Sequence, residues 1–86
     1  MTYSLQCTLT GMFVRLFWQQ RVIASWDHVF CRILGEPERV FVTYQQWCLD
    51  IESKLHIRLT TLPIYIVPIE NFHQYDEHLL LSAKQS

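Results

Sequence analysis

Four histidines and three cysteines are the residues of this 86-residue chain best suited to holding a metal or attacking a substrate. His28 and Cys31 are three positions apart and share a face if they lie on a helix. Zinc takes three or four such ligands in tetrahedral reach, and no second local pair completes the set. His73 and His78 enclose Asp76 and Glu77, a pattern that suits a solvated helix face, while Cys48 and His56 are too far apart to act locally. The expectation is a packed free thiol beside a surface histidine, with no metal and no other cofactor.

Nucleophilic catalysis needs a cysteine or serine beside a histidine that a third group orients. Nothing local marks such a set, and no glycine elbow is present. Gly11 and Gly35 are the only glycines, each isolated, so a glycine-rich phosphate cradle is also absent from the sequence. A non-catalytic function is therefore the expectation.

Arginine offers a second chemistry. Arg15, Arg21, Arg32, Arg39 and Arg58 outnumber the two lysines, and aromatic residues lie near several of them. Arginine with exposed aromatics is one way of gripping a single strand, so a small RNA-acting or nucleic-acid-contacting protein is the alternative reading. Against it, acidic residues balance the basic ones to a net charge of −1, and no recognition motif is apparent. Nucleic acid is thus not the expected partner.

Composition points to protein surfaces instead. Half of the residues are apolar and 14% aromatic, whereas only 17% are charged, against about 25% in an ordinary soluble domain. A single domain over residues 1–86 has little interior in which to hide that surplus. Some of it should meet another protein or a second copy of the chain. Three cysteines with no CxxC spacing read as free thiols in a reducing compartment. No basic residue precedes Arg15, so the expected start of a secretory signal is lacking. The longest uncharged apolar stretch, Leu59 to Ile69, holds two prolines and is too short to span a bilayer. The expected location is cytoplasmic.

The elements that must position these residues follow from periodicity. Tyr3, Leu5, Cys7 and Leu9 alternate with polar neighbours, which predicts a half-buried strand ending at Gly11. Met12 to Trp18 is apolar at six of seven positions, which suits a strand buried on both faces. A turn at Gln19-Gln20 and a short strand over 21–25 come next. Val22, Trp26, Val29 and Ile33 are spaced four, three and four apart, which predicts a helix capped by Ser25 and ended by Gly35. One long helix over 12–34 is the alternative. Val40, Tyr44, Trp47, Ile51 and Leu55 form the best helical stripe. That helix starts either at Pro37 or, if 39–44 is a strand, at a capping box of Thr43 and Gln46.

Leu55, Ile57 and Leu59 predict a strand near 57–62. Pro63 and Pro68 bracket an apolar strand, Ile64 to Val67, that belongs at a sheet edge. Asn71 and Gln74 predict the start of a last helix carrying Phe72, Tyr75 and Leu79. The expected fold is α+β: a small, mostly antiparallel sheet of four or five strands with two or three helices packed on one face.

Three segments exceed what one small core can cover. Leu79-Leu80-Leu81 spreads over roughly 200° of a helix, so at least one leucine meets a partner. Met12 to Trp18 needs cover on both faces. The edge strand is bare, and its flanking prolines read either as invitation to a neighbouring strand or as protection from one. Tryptophan concentrates binding energy, and Trp18 and Trp26 are the interface candidates, whereas Trp47 belongs to the helical stripe and the core. The expected interface is Trp18, Trp26, Ile64, Tyr65, Ile66 and Leu80. The expected function is a small protein-binding module, such as an adaptor, inhibitor or regulatory subunit, acting on another protein or on itself as a homodimer.

Overall fold

The computed structural model describes residues 2–70. The expected last helix, with Leu80 and its neighbouring leucines, lies outside them. The described chain forms strands β1 (Tyr3–Cys7), β2 (Phe13–Trp18), β3 (Arg21–Asp27), β4 (Phe30–Ile33) and β5 (Arg39–Val40). Helix α1 (Tyr44–Leu55), a short 3-10 turn at Leu59–Thr61 and strand β6 (Ile64–Ile66) follow. All six strands make one mixed sheet in the order β5-β4-β3-β2-β1-β6. Neighbours pair antiparallel except β1 and β6, which are parallel. The chain reaches β6 by crossing over through α1, as a parallel pairing requires.

This corrects the expected architecture: six strands rather than four or five, and one helix among the described residues rather than two or three. The largest departure is at 26–34. The four-three-four spacing there is coincidental, because Asp27 makes a turn and not a helix start. Its Oδ1 accepts from the amides of Val29 at 2.7 Å and Phe30 at 2.8 Å, and the chain doubles back as β4. The strand expected over 57–62 is also absent. Leu59 is buried in a 3-10 turn that brings the chain back from α1, with its amide held by Glu52 Oε2 at 2.8 Å. Between 39 and 44 the strand alternative is the one adopted, over two residues.

Alternation decides the faces. Leu5, Val14, Leu16, Ala24, Cys31 and Ile33 point to one side and pack against Trp47 and Ile51 of α1. β2 is central and buried on both faces, and its Arg15 and Phe17 lie on the side away from α1. A bulge keeps β3 useful on both sides. Leu16 pairs with Ala24 but Phe17 with Val22, so Ile23 is the extra residue. Val22 thereby joins Phe17 in a second small cluster while Ile23 still packs on the main core.

Helix α1 begins where Thr43 Oγ1 accepts the amide of Gln46 at 3.1 Å. The return half of the expected capping box does not form, since Gln46 Nε2 donates to Asp50 Oδ1 at 2.9 Å instead. His56, in the left-handed region at φ 56°, ends the helix. Thr43→Ala should cost about 1 kcal/mol and Thr43→Ser almost nothing, because only the first orphans an N-terminal amide. Equal urea midpoints for the two variants would show that the cap is not a stabilising contact.

Candidate protein-binding surface

The chemistry-bearing residues do not converge. Cys31 lies in a strand with its thiol in the core, whereas His28 stands in the exposed turn, edge-on to Phe13 at 6.1 Å. No group of three metal-ligating side chains forms among the described residues. All three cysteines are free, and burial pushes the thiols of Cys31 and Cys48 up, away from the reactive thiolate.

The arginines are dispersed too. Arg15 is fully buried in β2; Arg32 pairs with Glu38 and Arg39 with Asp50, both at 2.9 Å. Arg39, Asp50, Lys54 and Glu36 line an open hollow of about 420 Å³, where Lys54 also pairs with Glu36. Each charge there is paired with its opposite, so the four side chains carry no net charge with which to draw in a phosphate. The Gln46 hydrogen bond, and then Arg39, hold the Asp50 carboxyl below its ordinary range.

Tyr44 roofs an apolar cavity of about 140 Å³ above Leu5, Cys7 and Val14. Burial, and then the Cys48 side chain, push its phenol up to about 12 from 10.0. The neutral phenol is thus the form the fold prefers. Its contribution is complete below pH 10 and is lost as pH rises through about 12. In an alkaline titration, phenolate absorbance should gain a component near pH 12 that disappears in Tyr44→Phe. A wild-type curve matching that of the variant would contradict this.

What the structure does expose is apolar side chain at both ends of the sheet. Ile64, Tyr65 and Ile66 are 56%, 55% and 63% accessible, and no described strand pairs with the outer side of β6. At the other end, Phe30 and Val40 are direct cross-strand partners. Cys31 and Arg39 beside them point toward α1, so Phe30 and Val40 point away from it. Val29 and Phe41 come next along this hairpin, joined by a backbone hydrogen bond, and are exposed too, with Val40 at 75% and Phe41 at 62% exposure.

Phe41 is also strained. Its φ is 40°, in the left-handed region that suits glycine or asparagine, and its amide is fixed there by the carbonyl of Val29 at 2.7 Å. A bulky residue in that conformation costs roughly 1–2 kcal/mol. Burial of the ring does not offset this, because the ring is mostly in water.

The tryptophans chosen from the sequence sit deeper. Trp18 is half-buried against Tyr3, with ring centroids 4.3 Å apart across the β1–β2 pair. Trp26 packs on the core, edge-on to Tyr44, and donates from Nε1 to the carbonyl of Val42. Sequence reasoning passed over Val29, Phe30, Val40 and Phe41, because Val29 and Val40 fall in the apolar stripes of two different expected helices. The one available signal was the β-branched and aromatic run from Arg39 to Tyr44.

No helix among the described residues is long and apolar enough to cross a membrane. No protein-family model matches the chain, and neither a curated protein nor a solved structure gives a significant match to it.

Proposed function

We propose that this protein is a small, non-catalytic protein-binding module of the cytoplasm, and that Phe41 is the anchor through which it grips its partner. The observation that carries this reading is the strained, exposed Phe41, next along the hairpin to the exposed Val29, Phe30 and Val40. A fold that only needed a left-handed corner is served better by glycine or asparagine. A phenylalanine held out at that corner makes sense where its ring enters an apolar groove on another protein. These four side chains carry no charge of their own, although the Arg32–Glu38 ion pair lies nearby on β4 and the loop after it, so they fit an uncharged groove. Three free cysteines, one of them fully buried, support the reducing compartment.

Affinity capture with three baits tests the reading: wild type, Phe41→Asn and Tyr65→Lys. Proteins identified with wild type and Tyr65→Lys but lost with Phe41→Asn are the expected result. Recovery of the same set by all three baits would reject the Phe41 patch as the binding surface.

A further inference from the structure

We infer that the outer edge of β6 pairs antiparallel with β6 of a second copy, on a two-fold axis through Tyr65, to join two six-stranded sheets into one. This concerns the end of the sheet opposite Phe41 and stands apart from the reading of that patch.

The peptide groups fix the register. The amide of Leu5 donates to the carbonyl of Pro63, and that of Val67 to the carbonyl of Cys7, both at 2.9 Å. Residues 63, 65 and 67 therefore turn their backbone groups toward β1, and Ile64 and Ile66 turn theirs outward. Pro63 consequently directs its missing N–H inward, where it does nothing to blunt the outer edge. The first outward position without a donor is Pro68.

Only one antiparallel register satisfies every outward group. With the axis at Tyr65, Ile64 faces Ile66 of the second copy and each such pair exchanges both of its hydrogen bonds. An axis at Ile64 brings in Leu62, whose amide already donates to Leu59. An axis at Ile66 brings in Pro68, which has no donor. The strand is thus matched in length and register to itself, and pairing two copies uses up the edge, so the assembly closes as a dimer.

The side chains agree with this. Tyr65 meets its own copy across the axis as a close, non-hydrogen-bonded pair on the face away from α1. Ile64 of each copy meets Ile66 of the other on the α1 face. From Leu59 to Ile69 the chain holds no charged residue, so no lysine or glutamate guards the edge and no like charges are opposed. Three side chains a copy cover less than the roughly 800 Å² per partner of a standard interface, which makes the dimer a weak one.

Sedimentation velocity on the full chain over a hundredfold concentration range, combined with oxidative cross-linking, tests the inference. Wild type should pass from monomer to dimer, and Ile66→Lys should stay monomeric with an unchanged circular dichroism spectrum. Tyr65→Cys should cross-link into a covalent dimer beyond the wild-type background, because only the axial residue faces its own copy. Ile64→Cys and Ile66→Cys should not. A wild-type monomer at every concentration up to about 1 mM overturns the inference, as does equal cross-linking at all three positions. Phe41→Asn should dimerise like wild type, so a failed dimer leaves the Phe41 reading untouched and the reverse also holds.

Discussion

Trp47→Ala should strip the protein of a large share of its stability. Trp47 has no exposed surface and stands with Ile51 as the buried pair by which α1 is held to the sheet. Its indole stacks on Tyr44 at 5.8 Å and packs into the main core cluster. Removing a buried tryptophan costs roughly 3–5 kcal/mol. A domain of this size has only about 4–13 kcal/mol in total, so the loss takes a large share of the margin. The indole Nε1–H has no hydrogen-bond partner among the described residues, and a buried orphan donor is itself a cost of about 1–3 kcal/mol. Trp47→Phe keeps a ring in the site and removes that donor, so it should be far milder than alanine. Urea unfolding of both variants with a common slope checks the argument. Equal damage from the two would mean that the site has no use for an aromatic ring.

Phe41→Asn should act in the opposite sense on stability and on binding. Asparagine tolerates the left-handed corner, so the fold should gain about 0.5–1 kcal/mol. For a domain of this size that raises the Tm by roughly 2–8 °C. The same change removes the anchor ring and should weaken partner binding by about 30-fold or more, the usual effect of truncating a hot spot. Phe41→Leu keeps both strain and apolar bulk and should fall between wild type and asparagine in binding while gaining no stability. The diagnostic is the crossing of the two effects. A variant that is less stable and binds as before would show the ring to be a packing residue.

These expectations draw unequally on sequence and on fold. β1, β2, the Gln19-Gln20 turn, the start of α1 at Thr43 and the apolar edge strand at 64–66 were legible, because each carries a local signal. The signals are strict alternation in β1, a two-faced apolar run in β2, an N-cap at Thr43 and bracketing prolines around β6. Residues 26–34 were misread because their apolar spacing satisfies a helix by chance, while the short Asx turn at Asp27 leaves only a two-residue mark. Alternation at 55–59 misled for a related reason. Leu59 is buried by a returning turn, and burial at every second residue does not require a strand partner.

The sequence by itself determined the composition of the chain and its clearest local elements: surplus apolar residues, balanced charge, isolated glycines and scattered cysteines and histidines are each compositional or local. Tertiary structure decided which apolar residues are surplus. Trp18 and Trp26 look like anchors in one dimension, yet strand pairing sets Trp18 on Tyr3 and Trp26 beneath Tyr44. Phe41 looks like an ordinary aromatic until the β4–β5 pairing bends the chain through a left-handed corner and leaves its ring in water. The inward turn of Pro63, which leaves the outward amides of β6 to Ile64 and Ile66, likewise follows only from the hydrogen bonds to β1. Exposure and backbone direction depend on what lies beside a residue in space, and a period along the chain does not encode that.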